Sequence, residues 1–205
     1  MAQALKRRPE TDRRSQIVRI ARPIFLSEGF AATSMSAIAA EVGGSKGTLY
    51  NYFASKEDLF IAVAESTCEE FVSLVYDAPL EGKDIRTVLT GLGRRVLKYG
   101  LSDELIAAYR LITAEAVRFP EVGRILDENG LKKGAAGLAA YLSGAMAKGA
   151  LRRADPAVAA QQFFELCNAG LFHRRVWNVI PAPSDAAIAR HVDTATDTFL
   201  RAYAT

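Results

Sequence analysis

The stretch "GGSKGTLYNYF", residues 43 to 53, places three glycines, a serine, a lysine and a threonine within its first six positions. Backbone amides at glycines, hydroxyl groups and an ammonium are groups that contact phosphate. A nucleotide-binding P-loop needs a glycine directly before its lysine, and both it and the dinucleotide-binding GxGxxG motif follow a strand. Here Lys46 precedes Gly47, and the lead-in "MSAIAAEV" has a helical period. The phosphate is therefore predicted to belong to a nucleic acid backbone.

The segments around this stretch predict a helix-turn-helix. Residues 34–42 and 45–53 have the pattern of two short helices joined by a pair of glycines. Residues 13–30 precede them and predict a longer basic helix that Gly29 ends. In such a unit the second short helix lies in the major groove of DNA.

The positive charge of the chain is concentrated at its N-terminal end. Residues 1–60 carry nine Lys and Arg against six Asp and Glu, whereas residues 61–205 carry seventeen of each. The first 22 residues alone carry seven basic and two acidic side chains. A basic front and a neutral body favour contact between the front and a polyanion, although a solubilising basic tail has the same composition.

The remaining long segments also have a helical period. Residues 55–78 predict a helix of ~36 Å at 1.5 Å per residue. Further helices are predicted at 84–99, 102–118, 121–148, 155–179 and 185–203, with glycines 130, 134 and 137 dividing the third of these. Sustained alternation and hairpin signals are absent from the sequence. The expected class is all-α, with a small basic front of about three helices and a longer helical body.

Residues 29–60, "GFAATSMSAIAAEVGGSKGTLYNYFASKEDLF", resemble the N-terminal signature of the TetR (tetracycline-repressor) family of bacterial transcription regulators. The resemblance departs at Gly44, where the family usually has an apolar residue, and Pro23 is expected to kink the first helix. It implies a helix-turn-helix DNA-binding domain over residues 1–54 and a larger helical ligand-sensing and dimerisation domain over residues 55–205. It also implies a homodimeric repressor that a small-molecule ligand releases from a double-stranded DNA operator, although the sign of regulation is open.

The resemblance assigns DNA contact to polar residues at the starts of the short helices. Lys46, Thr48 and Asn51 are the expected base contacts, and Tyr50, Tyr52 and Lys56 are expected to contact phosphates. The full predicted set is Thr33, Ser34, Ser36, Ser45, Lys46, Gly47, Thr48, Tyr50, Asn51, Tyr52 and Lys56. Leu49 and Phe53 are expected in the core.

Dimerisation through the last two long helices is a further implication of the resemblance. The predicted interface residues are Phe164, Leu171, Ile188, Val192, Ala195 and Phe199. The four on the last helix form a stripe at helical spacing, which could equally pack against the chain's own body.

The body from Asp84 onward more weakly resembles a TetR subgroup that includes regulators of efflux and of quorum-type signals. A ligand pocket there would be mostly apolar with few polar groups. The candidate lining residues are Tyr99, Tyr109, Phe119, Tyr141, Met146, Phe164, Asn168, Phe172 and His173. Each of them is also a plausible core or interface residue.

Several classes of protein are disfavoured by the sequence. It contains no GxSxG or HExxH motif and no Cys/His cluster, so neither an enzyme nor a metal or cofactor site is expected. The N-terminus has no signal-type apolar region and no run approaches the ~18 apolar residues of a membrane span, so a cytoplasmic location is predicted. Two alternatives remain: a DNA-binding protein switched by a protein partner or by nothing, and a helical binding protein without DNA affinity.

Overall fold

The computed structural model describes residues 9–77, 80 and 84–205. Within these residues the chain is helical and has no strand; a lone antiparallel bridge joins Leu151 and Ala204. The predicted all-α class is confirmed. In chain order the helices are α1 (Pro9–Ala32), α2 (Met35–Val42), α3 (Lys46–Tyr50), α4 (Lys56–Val75), α5 (Ile85–Gly100), α6 (Asp103–Glu115), α7 (Pro120–Ile125), a π-helical segment (Leu126–Lys132), α8 (Lys133–Ala147), α9 (Pro156–Asn168), α10 (Phe172–Val176) and α11 (Asp185–Tyr203).

Aromatic rings fill the N-terminal core. The ring centroid of Phe30 lies 6.1 Å from that of Phe25 and 5.1 Å from that of Phe60. α1 keeps helical backbone angles at Pro23, and the helical conformation is interrupted at Gly29, where φ is 78°. Pro23 is exposed, so the carbonyl that its missing N–H leaves unpaired can bond to water. A left-handed φ costs least at a glycine, which explains the interruption at Gly29.

The N-terminal core extends beyond residue 54. Leu59, Phe60 and Val63 of α4 are buried in it together with Ile112 of α6 and Val122 of α7. The first half of α4 is therefore part of the structural unit that holds α1 to α3. The division at residues 54 and 55 stays a prediction, and the packing gives no gap at that point.

The second core lies between α5, α8, α9 and α11. Phe163 of α9 and Phe199 of α11 are fully buried there, with ring centroids 5.5 Å apart. A Cβ placed on Gly93 of α5 would lie 2.8 Å from Val192 Cγ1 and 3.1 Å from Cys167 Sγ. Glycine at this position therefore permits the close approach of α5 to α9 and α11.

The apolar stripe of α11 faces this core, which corrects one sequence prediction. The predicted interface residues Ile188, Val192, Ala195 and Phe199 are all at most 5% exposed within the single chain. Side chains already buried by their own domain have little surface to offer a second copy. Helical periodicity identified a buried face correctly, but the partner of that face is the chain's own body.

The predicted helix over residues 155–179 is wrong, because the chain turns between α9 and α10. Gly170 has a φ of 72° and ends the helical run. Two arginines then fix α10. Arg110 donates to the carbonyls of Val176 and Arg175, both at 2.6 Å, and the buried Arg175 pairs with Asp103 at 2.6 Å.

Candidate DNA-binding surface

Hydrogen bonds at both ends fix the position of α2. The hydroxyl of Ser34 accepts from the amide of Ala37 at 3.1 Å, as an N-cap does. At the other end Gly43 has a left-handed backbone with φ of 71°, and its amide donates to Ala40. The amide of Gly44 donates to Ala39 at 3.0 Å, which completes a Schellman turn. The two glycines thus form the sharp turn of a helix-turn-helix.

Ser45 begins α3 as predicted. Its hydroxyl accepts from the amide of Thr48 at 3.0 Å and lies 2.9 Å from the Thr48 hydroxyl. A Cβ on Gly44 would make only ordinary contacts, the nearest at 3.7 Å with Thr48. A methyl group at this position would therefore fit against Thr48.

α3 presents a polar face outward and an apolar face inward. Leu49 and Phe53 are each 2% exposed, as expected for core residues. The exposed side holds Ser45, Lys46, Gly47, Thr48, Tyr50 and Asn51, while Tyr52 is half-buried. The Lys46 ammonium lies 5.7 Å from the centre of the Tyr50 ring, which is 43% exposed. Six of the predicted DNA contacts therefore share one solvent-facing surface.

Thr33 is not part of that surface, contrary to the sequence prediction. It is 2% exposed, and its hydroxyl donates to the carbonyl of Gly29 at 2.8 Å. Ser34 and Ser36 are exposed at the start of α2, although the Ser34 hydroxyl is engaged as the helix cap. Thr33 was assigned to DNA contact by the resemblance alone; of Thr33 and Ser34, the two candidate helix caps in the sequence, Ser34 caps α2.

Lys56 has a structural role that the sequence did not reveal. Its ammonium donates to the carbonyls of Phe30, Ala31 and Thr33, at 2.7, 3.3 and 2.8 Å. These bonds use the three donors of the ammonium and satisfy carbonyls that the end of α1 leaves unpaired. Lys56 therefore joins α4 to α1, and a contact between Lys56 and a DNA phosphate stays a prediction.

Two arginines of α1 border the recognition helix α3 and were not singled out from the sequence. Arg13 donates to the carbonyl of Val42, the last residue of α2, at 3.1 Å. The Arg14 guanidinium lies 4.7 Å from the centre of the Phe53 ring, just after α3, and Arg14 is exposed. The basic composition of the first 22 residues was the available signal, but it could not indicate which arginines lie beside α3.

The predicted ligand-lining residues divide between the two cores. Phe119 packs on Phe30 at 5.0 Å, partly buried against the N-terminal core, so it lies apart from the candidates around the second core. Met146 is buried in the second core, with Tyr141, Phe164 and Phe172 partly buried against it. Tyr109 contacts Phe172 edge to face at 4.9 Å. Tyr99 and Asn168 are half-buried, and His173 is exposed.

Both cysteines are buried and their thiols are held protonated. Burial raises the pKa of Cys68 to about 11 and that of Cys167 to about 12. Groups of three or more metal-ligating side chains do not occur in the described part of the chain. Among the same residues, no helix combines the length and the apolar character needed to cross a membrane.

Two family profiles match the chain. The profile described as "Bacterial regulatory proteins, tetR family" matches residues 17–63, which contain α2, the glycine turn and α3. The profile described as "AefR-like transcriptional repressor, C-terminal domain" matches residues 87–205, more than half of the chain. The chain belongs to the TetR family. Its relatives in this family are helix-turn-helix transcriptional regulators.

Curated helix-turn-helix regulators match about a third of the chain. The HTH-type transcriptional activator FasR of Mycolicibacterium smegmatis is 38% identical over 72 residues, which are 35% of this chain and 33% of that protein. The HTH-type transcriptional regulator UidR of Escherichia coli is 39% identical over 69 residues, 34% of this chain and 35% of its own. These alignments span about a third of this chain and about a third of each relative's own length.

Solved TetR-family structures match nearly the whole chain. A TetR-family regulator from Mesorhizobium loti superposes with a TM-score of 0.86 at 28% identity, covering 97% of this chain and 100% of that one. The flavonoid-responsive regulator FrrA superposes with a TM-score of 0.80 at 32% identity, covering 95% and 98%. The helical body is therefore a TetR-type body, and not only the DNA-binding end is shared.

Proposed function

We propose that the protein is a sequence-specific DNA-binding repressor that acts as a homodimer and leaves its operator when a small molecule binds the body. The observation that carries this proposal is the two-sided character of α3. Leu49 anchors α3 in the core while Lys46, Gly47 and Thr48 are exposed on the opposite side. A helix fixed in this way is suited to enter a major groove as a rigid unit.

The charges around α3 support phosphate contact. Arg14 of α1 is exposed at one end of α3, and Lys46 is exposed at the other. Contacts to phosphates fix the register of a protein on DNA, and contacts to base edges supply specificity. Lys46, Thr48 and Asn51 are the proposed base contacts, and Arg14 and Tyr50 are the proposed phosphate contacts.

A dimer would contact two half-sites of the operator, one with each copy of α3. One helix-turn-helix contacts too little DNA for strong specificity, and dimers place two recognition helices ~34 Å apart. Because the apolar stripe of α11 is buried within the chain, the proposed interface uses the outward faces of α9 and α11 instead. Val158 on α9 is 44% exposed, and Phe164 and Leu171 are partly exposed, so these residues remain interface candidates.

The proposed effector is an aromatic small molecule. The similarity to the flavonoid-responsive regulator FrrA over 95% of the chain supports flavonoids as the first class to test. Tyr141, Phe164 and Phe172 lie around the second core, where an apolar pocket would form. The match to an AefR-like repressor domain supports repression as the sign of regulation.

α4 is the proposed link between ligand and DNA. With 20 residues it is ~30 Å long. It begins beside α3 at Lys56 and ends in the body at Val75, so a small tilt at one end moves the other by ångströms. A ligand that binds better to the tilted form would release the operator.

The test is operator binding with and without a flavonoid. Fluorescence anisotropy on DNA from upstream of the protein's own gene is expected to show specific binding that a saturating flavonoid weakens at least tenfold. Operator affinity that no flavonoid or other small aromatic changes would instead support the alternative, a DNA-binding protein switched by a protein partner.

A further inference from the structure

The second half of α4 packs along a row of glycines in the π-helical segment and α8. A Cβ on Gly130 would lie 3.6 Å from Cys68 Sγ, and one on Gly134 would lie 4.0 Å from Val72. A Cβ on Gly137 would lie 2.5 Å from Cε1 of Tyr76, closer than real atoms pack. Cys68, Val72 and Tyr76 are four apart, so Cys68 and Val72 lie on one face of α4 and Tyr76 continues that row directly after its end. The contact becomes closest at Tyr76, where α4 ends.

The Tyr76 hydroxyl bonds to the backbone of α8 at two points. It donates to the carbonyl of Gly134 and accepts from the amide of Leu138 at 3.2 Å. Residues four apart are the pair that an α-helix normally bonds to each other. The hydroxyl therefore bonds to the carbonyl and the amide that face each other across one turn of α8. These two bonds fix both the position and the orientation of the Tyr76 ring.

Three further features accompany the contact between Tyr76 and α8. Burial raises the pKa of the Tyr76 hydroxyl from 10.0 to about 12. The π-helical segment Leu126–Lys132 ends two residues before Gly134. π-helical turns are rare and occur often at functional sites. From the other side Arg95 of α5 donates to the Val75 carbonyl at 2.7 Å and holds the same end of α4.

We propose that Tyr76 is a positioning residue for operator binding, which sets the angle at which α4 leaves the body. The inference rests on the proposed dimeric repressor and names the contact on which its ligand response would act. With Tyr76 seated at Gly137, α4 holds one angle and the two recognition helices of the dimer keep one separation. A shift of the Tyr76 ring away from Gly137 would change the angle of α4 and therefore the separation of the two recognition helices.

The test compares operators of different half-site spacing. The operator would be prepared in its natural form and with one base pair added or removed between its half-sites. The ratio of the Kd values for altered and natural spacing reports how rigidly the separation is held. Tyr76→Phe keeps the ring and removes both hydrogen bonds, and Gly137→Ala keeps the hydroxyl and displaces the ring.

Tyr203→Phe is the matched control, because it also removes a tyrosine hydroxyl bonded within the body, in this case to Gln162. Both test variants are expected to reduce the wild-type spacing ratio at least threefold, while Tyr203→Phe leaves it unchanged. Unchanged ratios in Tyr76→Phe and Gly137→Ala, with the folded state verified by circular dichroism, would overturn the inference. If wild-type protein showed no specific binding at any spacing, the proposed function itself would fail, and this inference with it.

Discussion

The ammonium of Lys56 lies 4.4 Å from the centre of the Phe30 ring and donates to the Phe30 carbonyl at 2.7 Å. One side chain thus contacts both the aromatic core and the end of α1. This contact joins α4, the helix that leads to the body, to the unit that holds α3. The unit that holds α3 is therefore expected to move with the start of α4.

Replacing Lys56 by methionine should lower the free energy of unfolding and have little effect on the affinity for DNA. The carbonyls of Phe30, Ala31 and Thr33 lose a charged donor, and hydrogen bonds of this kind contribute ~1.5 to 3 kcal/mol. Urea denaturation should show a fall of that order in the free energy of unfolding. Unchanged stability together with weaker DNA binding would restore the phosphate role predicted from the sequence.

Replacing Lys46 by alanine should lower the affinity for DNA without lowering the free energy of unfolding. Lys46 is exposed on α3, so the free energy of unfolding should not change. Operator affinity should fall, and the slope of log K against log salt should decrease by up to about one, because one cationic side chain is lost from the DNA-facing surface. Lys148→Ala removes the same charge from an exposed position at the end of α8 and should leave the slope unchanged. Equal slopes for all three proteins would remove Lys46 from the DNA contact.

The sequence predicted much of the candidate DNA-binding surface but few of the contacts that hold α3 and α4 in place. Leu49 and Phe53 were expected in the core, and the structure buries both while Lys46 and Thr48 are exposed. Contacts between distant residues were not predictable: Tyr76 meets Gly134 across 58 positions of sequence, and Lys56 meets Phe30 across 26. Single-helix periodicity cannot identify the partner of an apolar face, which explains why the α11 stripe was assigned to the wrong surface.

Adding a methyl group to Gly93 should destabilise the body. The new Cβ would overlap with Val192 and press on Cys167, and overpacking of this kind costs ~1 to 3 kcal/mol. Gly91→Ala lies on the same helix with its nearest neighbour, an Arg95 nitrogen, 3.9 Å away. That control should gain ~0.5 to 1 kcal/mol from helix propensity. Equal stabilities of the two variants in thermal denaturation would contradict the described approach of α5 to α11.

Stability should fall as the pH rises above 9. The buried thiols of Cys68 and Cys167 have folded pKa values of about 11 and about 12, above the ordinary value of 9.0. Between pH 9 and those values the folded chain binds more protons than the unfolded chain, so the free energy of unfolding decreases with pH. The decrease is at most about 1.4 kcal/mol per pH unit for each thiol.

Urea denaturation at pH 8, 9, 10 and 10.5 measures this slope, and Cys167→Ala serves as the comparison. The variant is expected to be less stable at every pH but to lose less stability as the pH rises. Parallel pH profiles for variant and wild type would show that Cys167 does not titrate in this way.

An aspartate in place of Val158 should weaken the dimer. Val158 is exposed on α9, on the proposed interface, where burying a new charge is costly. Sedimentation equilibrium should show a shift toward monomer. Ser143→Asp adds the same charge to an exposed position of α8 and should leave the assembly unchanged. A Val158→Asp variant that remains as dimeric as wild type would exclude this face of α9.

The most direct measurement is anisotropy of the full chain on DNA from upstream of its own gene, against a scrambled duplex, over a salt series. A sequence-specific regulator is expected to bind the upstream DNA at least ~10³-fold more tightly than the scramble. Equal and steeply salt-dependent binding to both duplexes would indicate phosphate attraction alone and would contradict the proposed role of α3.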